Sequence, residues 1–354
     1  MRLTVRRVAL RLASSLRTSY GTVSERHILA VSISDADGLT GHGEAAPLEA
    51  YDGVSLERAE AALGRYARVL ARAETLETAS LLEGCRRVEE TPAALAAVDL
   101  ALWDLAGKRA GKPVAELLSE SPAREVKVNA TLTASEPEAV ARQAASAAGD
   151  GFECLKLKVG TTDDKARVAA VRAAVGPRPA LRLDANGAWG VEGAVRAMET
   201  LAPAGLELVE EPTHGLAAVR QVRERVSTPI AIDETAAAPG ALEAGVADAV
   251  CLKISRCGGI SGLIAAASLV RSSGAALYLA SSLDGPVGIA AALHTAAALA
   301  TGGSLLPCGL ATLALLDGFE DPLPARGGRI SLPTAPGFGV HPPSALGQTA
   351  PRAS

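Results

Sequence analysis

Aromatic residues make up only 3% of this 354-residue chain, too few to build the stacking platforms that single-stranded nucleic acid needs. No basic stripe exists either: the net charge is −4 and the lysines and arginines are dispersed, so no nucleic-acid partner is expected. The five cysteines (Cys85, Cys154, Cys251, Cys257, Cys308) include no CxxC pair and are odd in number. That pattern reads as buried free thiols in a reducing compartment, and a cytoplasmic location is expected. The histidines are scattered with no HExxH-type pair, which argues against a histidine-based zinc site. No GxGxxG or P-loop follows a strand-like run, so a nucleotide site is not expected. The longest charge-free stretch, Gly285 to Leu316, is neutral except for His294, and Gly302, Gly303, Pro307 and Gly309 divide it. It reads as helix, turn and buried strand, and no membrane partner is expected.

What is present is apolar. The apolar fraction is 48%, enough for a sizeable core, and the length suits one large domain plus a smaller one. Residues 1–24 hold five arginines and no acid, which imitates a transit peptide. Yet VALRL and ILAVSIS alternate like paired strands, so the segment reads as folded. RRVALRL, HILAVSIS and LTGHGEA form a small antiparallel sheet, with a turn at Asp35–Gly38. Ser15–Ser24 reads as a polar loop with Gly21 as hinge, and Pro47–Val54 as a second loop. From Ser55 to about Leu118 the pattern is helical. One helix begins at Thr91-Pro92 and buries a face of Leu95, Val98, Leu102 and Leu105. Residues 1–120 are thus an α+β domain.

Residues 121–320 alternate strand and helix. VKVNATL (Val126–Leu132) opens the series. A helix is expected before each later strand, including one at Pro239–Ala244, and a last strand near Leu305–Leu310. Eight strands in strict alternation argue for a closed barrel over an open sheet. The tail, 321–354, is rich in Pro and Gly and is expected to return along the first domain.

Five of the strand-like runs end on an ionisable residue: Lys158, Asp184, Glu210, Asp233 and Lys253, at intervals of 26, 26, 23 and 20 residues. That is about one βα unit each, and in a parallel barrel such ends converge on one face. Asp184, Glu210 and Asp233 offer oxygen ligands with no His or Cys partner, which suits Mg²⁺ before Mn²⁺ or Ca²⁺. A lone carboxylate there is more often a helix cap or an ion-pair partner; three at matching positions favour the cation. Lys156 and Lys158 are two apart and point the same way from a strand. A hard cation beside lysines suits removal of a proton α to a carboxylate, with a lysine pKa lowered by the cation. A small carboxylate is the expected substrate.

LKLKVG (Leu155–Gly160), LDANGAW (Leu183–Trp189), VEEP (Val209–Pro212), IDET (Ile232–Thr235) and LKISRCGGI (Leu252–Ile260) together resemble the enolase superfamily, muconate-lactonising-enzyme subgroup, over nearly the whole chain. Mg²⁺ with a lysine base is the pattern of enolase-superfamily sites. The resemblance implies a (β/α)7β barrel with an N-terminal α+β capping domain, and Asp184, Glu210 and Asp233 as Mg²⁺ ligands. It implies Lys158 and Lys253 as acid/base residues on opposite faces of the substrate. Lys156 would hold the substrate carboxylate or tune Lys158. Substrate contacts are expected from Tyr20, Gly21, Tyr51 and Asp52 of the capping loops, and from Asn186, Arg256, Ser281, Ser282 and Leu310 of the barrel. Glu211 stands where relatives often carry Gln and is expected to point away from the metal. A homo-oligomer is expected.

Within the superfamily, SSLDGPVGIAAALHTAAAL (Ser281–Leu299) and CGLATLALL (Cys308–Leu316) resemble o-succinylbenzoate synthases, which dehydrate a succinyl-hydroxycyclohexadiene carboxylate. LRTSYGTVSERHILAV resembles N-acylamino-acid racemases and dipeptide epimerases, as does Arg256. The Asp-x-Asp that dipeptide epimerases carry after the eighth strand is missing from GLATLALLDGFED. On these motifs the dehydratase ranks first, the racemase or epimerase second, and a muconate-type cycloisomerase third. A non-catalytic binding barrel ranks last.

Overall fold

The computed structural model describes residues 1–18, 21–72, 77–161, 163–300, 305–318 and 320–343. The chain opens with three antiparallel strands, β1 (Arg2–Thr18), β2 (Gly21–Ser34) and β3 (Thr40–Ala45). The polar stretch read as a loop over Ser15–Ser24 is therefore mostly strand: Leu16 pairs with Val23 and Thr18 with Gly21. Backbone pairing needs no apolar side chain, so Ser15, Thr22 and Ser24 stand exposed on the paired strands. A register shift between Arg11 and Leu16 bends this arm. Five helices follow: α1 (Glu49–Asp52), α2 (Leu56–Ala71), α3 (Thr78–Val88), α4 (Pro92–Ala110) and α5 (Val114–Leu118). Helix α4 is buried nearly all round, because one side meets the small sheet and the other meets the barrel. Gly43 of β3 makes that approach possible: a Cβ there would lie 1.9 Å from the Ala97 carbonyl oxygen.

The segment VKVNATL divides in two. Glu125–Lys127 forms β4 and Ala130–Leu132 forms β5. Then come β6 (Cys154–Lys158), β7 (Ala180–Asp184), β8 (Leu208–Glu210), β9 (Ile230–Ile232), β10 (Ala249–Leu252) and β11 (Ala276–Leu279). Strands β5 to β11 form one parallel sheet in sequence order. The intervening helices are α6 (Pro137–Gly149), α7 (Asp164–Val175), α8 (Val191–Leu201), α9 (Leu216–Arg223), α10 (Ile260–Ser272) and α11 (Pro286–Leu299). The helix expected at Pro239–Ala244 is instead a run of turns after a short 3₁₀ turn at Glu234–Ala237. Six residues beginning Pro-Gly, with Gly240 at φ 74°, are too few and too broken to nucleate an α-helix.

The eighth barrel position is filled by single bridges rather than a strand. Leu305 and Gly309 bridge to Leu277 and Ala280, and Cys308 bridges to Val128 on the far side. Pro307 lacks the N–H that a continuous ladder would use. The (β/α)7β architecture with its capping domain is thus the observed one. The chain then supplies β12 (Leu316–Asp317) to the edge of the small sheet and β13 (Arg329–Ser331) as partner of β4. Beyond it, Gly337 bridges to Pro113, and the Phe338 N–H donates to Asp104 at 2.8 Å. No helix among the described residues is long and apolar enough to cross a membrane.

Candidate active site

Strand register assembles the site. Lys158 pairs with Asp184, and Asp184 with Glu210, across β6, β7 and β8. Asp233 and Lys253 each follow the last residue of their strand, β9 and β10. All three carboxylates are at most 1% exposed, and charges so buried must be paired. Lys156 Nζ donates to Asp184 Oδ2 at 2.8 Å and to Glu210 Oε2 at 2.6 Å. Lys158 Nζ donates to Asp184 Oδ2 at 2.5 Å and to Asn186 Oδ1 at 2.7 Å. Lys253 Nζ donates to Asp233 Oδ2 at 2.6 Å.

These pairs set the charge states. Burial works against the Lys156 ammonium, but Asp184 and Glu210 outweigh it and raise its pKa. Lys253 is likewise raised, by Asp233 against burial. The protein's own charges thus hold both lysines as ammonium, and the lowering expected beside a cation belongs to the Mg²⁺-bound site. Asp184 is pushed down, since Lys156 and Lys158 overcome its burial. Glu210 is pushed up by burial and by Asp184.

The residues fit a hard divalent cation on two grounds. Asp184, Glu210 and Asp233 supply oxygen donors, which suit a hard cation, although the buried Cys251 Sγ, not expected there from the sequence, also lies within 4.8 Å of the Glu210 and Asp233 oxygens. In addition, Glu210 Oε1 is fully buried without a hydrogen-bond partner, an arrangement that costs free energy unless something fills it. The other Glu210 oxygen also accepts from Tyr278 Oη at 2.9 Å, and Tyr278 lies under the Arg182 guanidinium. Glu211 turns away from this cluster, at φ 42°. It accepts from the Asp233 N–H at 2.8 Å and the Thr235 N–H at 3.0 Å, and so fixes the backbone that carries Asp233.

Above the carboxylates lies a pocket. Lys156, Lys158, Asp184, Asn186 and Lys253 form its floor. Thr131 enters from β5, while Ser281, Ser282 and Leu283 come from the loop after β11. Gly309, Thr312 and Leu315 follow the closing segment, and the capping domain adds Leu16, Leu48 and Tyr51. The Tyr51 hydroxyl donates to Asp233 Oδ1 at 2.7 Å and accepts from Arg256 Nη1 at 2.5 Å. Arg256 also donates to the Asp233 and Glu234 carbonyls, which places it behind the site rather than in the pocket.

Several expected contacts fall elsewhere. Asp52 accepts from the Leu48 and Val54 N–H groups and shapes its own loop. Leu310 is fully buried in the core; its neighbours Gly309 and Thr312 face the pocket instead. Gly21 is a strand residue at φ 128°, away from the pocket lining. Tyr20 lies outside the described residues. Sequence reasoning missed Leu16, Leu48, Thr131 and Thr312: Leu16 and Thr312 lie inside the quoted stretches LRTSYGTVSERHILAV and CGLATLALL, but no charge or spacing singled them out. It also missed Glu234, whose carboxylate accepts from Asn186 Nδ2 at 2.9 Å and is pushed up to about 8 by burial and by Asp233. Its place beside Asp233 in IDET was the available signal.

Comparison with known proteins agrees with this geometry. Residues 1–119 match the mandelate racemase/muconate lactonizing enzyme N-terminal domain, and residues 139–345 match the enolase C-terminal domain-like family. A hydrophobic dipeptide epimerase of Enterococcus faecalis is 33% identical over 83% of this chain and 86% of its own length. An o-succinylbenzoate synthase of Thermobifida fusca is 43% identical, over 59% of this chain and 67% of its own. A crystal structure of the dipeptide epimerase from Enterococcus faecalis, complexed with Mg and the dipeptide L-Leu-L-Tyr, superposes with TM-score 0.87. It is 29% identical and covers 96% of this chain and 98% of that one. These matches run over most of both chains, and the chain belongs to the muconate-lactonising-enzyme subgroup of the enolase superfamily, as an enzyme that removes a proton α to a carboxylate.

Proposed function

We propose that this enzyme transfers a proton between the two faces of the carbon α to the carboxylate of an N-acylated amino acid, dipeptides included. One observation carries the reading. Lys158 and Lys253 reach the same pocket from β6 and β10, with three strands between them. A planar carbanion held between them meets an ammonium or amine on either face, which a 1,1-proton transfer requires. The breadth of the likeness to dipeptide epimerases supports it, since those matches run over most of both chains. The ranking suggested by the sequence motifs, with the dehydratase first, is thereby reversed.

Asp184, Glu210 and Asp233 would hold Mg²⁺. When bound, that ion stabilises the negative charge that builds on the substrate carboxylate. The remaining work falls to the chain itself. Lys156 donates toward the carboxylate end. One of Lys158 and Lys253 takes the α proton, and the other returns a proton to the opposite face. Asn186 keeps Lys158 in place through its Oδ1. Leu16, Leu48, Leu283 and Leu315 line the pocket and keep water out. Asp184 is the one carboxylate among the described lining residues, so an acyl end without a free ammonium, such as N-succinyl, fits that lining better than the ammonium end of a dipeptide.

A second reading, dehydration to an o-succinylbenzoate-like product, draws on the 43% identity to the Thermobifida fusca synthase. There one lysine acts as base and the other remains a cation. The readings separate on incubation of the Mg²⁺-loaded enzyme with N-succinyl amino acids, with dipeptides and with the cyclohexadiene substrate. Loss of optical rotation with the first, or a change of rotation as diastereomers form from the second, supports 1,1-proton transfer. Rapid dehydration of the third with no racemisation would reject it.

A further inference from the structure

We propose that Glu44 of the capping domain is a positioning residue for the substrate pocket: it fixes the Ser281–Asp284 turn by holding the backbone that leads into α11. Glu44 lies on β3, 4% exposed, and points across the domain boundary. Its Oε1 accepts from the Gly285 N–H at 2.6 Å, and a Cβ on Gly288 would lie 2.9 Å from the same oxygen. Those residues immediately follow the turn that carries Ser281, Ser282 and Leu283 into the pocket.

At its other end the turn is anchored to the closing segment: the Ser281 N–H donates to the Gly309 carbonyl at 3.1 Å, and Thr312 Oγ1 donates to Ser281 Oγ at 3.1 Å. Leu283 sits at φ 60°, a conformation that costs a leucine free energy and persists only where surroundings enforce it. Asp284 Oδ2 accepts from the Ser282 N–H, and the Asp284 N–H donates to Ser281 Oγ, each at 2.9 Å. Asp284, 2% exposed, thus ties the two serines to the residue next to Gly285. Fit is close as well as polar. A Cβ on Gly285 would lie 2.6 Å from Glu44 Oε2 and 2.7 Å from Ile28 Cδ1. Only glycine admits the carboxylate at that distance. The chain from Glu44 to the pocket therefore runs through Gly285, Asp284 and the two serines. None of these four carries the reaction's proton, so the effect of Glu44 falls on how substrate is held.

The inference rests on the pocket being the substrate site and not on which substrate it takes. The test uses the Mg²⁺-loaded full chain, with Glu44→Ala, which removes the acceptor, and Glu44→Gln, which keeps an amide oxygen for the Gly285 N–H. Amide hydrogen exchange followed by mass spectrometry needs no substrate. In Glu44→Ala, residues 281–288 should exchange about tenfold faster while the strands β6 to β10 keep their protection. Glu44→Gln should match the wild type. KM is measured on whichever probe the wild type turns over, N-succinyl-L-phenylalanine or the cyclohexadiene carboxylate. It should rise about tenfold in Glu44→Ala with kcat within about threefold, the mark of lost ground-state binding, and Glu44→Gln should restore it. Unchanged exchange at 281–288, exchange raised evenly through both domains, or faster local exchange with unaltered KM would each overturn the proposal. A wild type that turns over neither probe rejects the proposed function alone, and the exchange comparison then decides the role of Glu44.

Discussion

The ammonium of Lys253 lies 4.0 Å from the centroid of the Tyr51 ring and 2.6 Å from its hydroxyl oxygen. The two residues are 202 positions apart, one on the capping domain and one at the end of a barrel strand. A cation over an aromatic face, with the ring's hydroxyl also bonded to Asp233, ties the seating of the capping domain to the placement of the Lys253 ammonium. Tyr51→Phe keeps the ring and removes the bridge between Asp233, Lys253 and Arg256. Its kcat should fall by about 10- to 100-fold, as for other outer contacts of a metal ligand. Tyr51→Leu should fall further, because the ring is lost too. Wild-type kcat in Tyr51→Phe would show the hydroxyl to be idle.

The carboxylate cluster leads to a second expectation. Asp184→Asn should lose turnover by more than about a hundredfold, beyond what changes at outer contacts cost a metal site. Its far-ultraviolet circular dichroism should stay native. Chelation should silence the wild type, and Mg²⁺ should restore it while leaving Asp184→Asn inactive. Full turnover after exhaustive chelation would remove the cation from the account.

The bent arm of β1 makes a third. Leu16 is buried and reaches the pocket, although it belongs to the capping hairpin. Leu16→Ala removes part of the pocket's apolar wall, so KM should rise by about three- to tenfold with kcat little changed. An unchanged KM would mean that the hairpin does not touch substrate.

Stability should depend on pH through His294. This imidazole is fully buried: Nδ1 accepts from the Ala115 N–H at 3.1 Å, and Nε2 faces the Phe338 carbonyl at 3.2 Å. With one nitrogen accepting and the other donating, only the neutral ring serves both. Burial pushes its pKa down from 6.5 to about 4. Below pH 6.5 the unfolded chain therefore takes up a proton that the folded chain refuses. The contribution is complete above pH 6.5 and is lost as pH falls toward 4, by up to about 3 kcal/mol. In urea unfolding, the gap between wild type and His294→Asn should narrow over that range. A gap independent of pH would contradict the assignment.

Much of this site was legible in the sequence for a physical reason. A parallel barrel puts every strand's C-terminal end on one face, so charged residues closing apolar runs mark the site before any fold is known. Lys158, Asp184, Glu210, Asp233 and Lys253 were found that way. What escaped depends on backbone pairing and on contacts distant in sequence. Ser15–Thr18 looked like a loop because its polar side chains say nothing of a partner strand. Lys127 and Ala130 belong to different sheets, because β4 pairs with the tail strand β13 while β5 pairs with β6. Leu310 fits an alternating pattern toward the pocket, yet Pro307 interrupts the strand and sets the residues after it differently. Glu44 sat in a plain strand motif, GHGEA, and its partner Gly285 lies 241 positions away.

The central claim is that Lys158 and Lys253 each serve one face of the same α-carbon. The most direct test follows α-deuterium in D₂O by proton NMR, using each enantiomer of an N-succinyl amino acid separately. Wild type should wash the α-proton out of both enantiomers and interconvert them. Lys158→Ala and Lys253→Ala should each lose interconversion by several orders of magnitude, and each should still exchange one enantiomer, the opposite one in each variant. Exchange of the same enantiomer in both variants, or fast dehydration of the cyclohexadiene substrate by wild type with no exchange in either enantiomer, would contradict it.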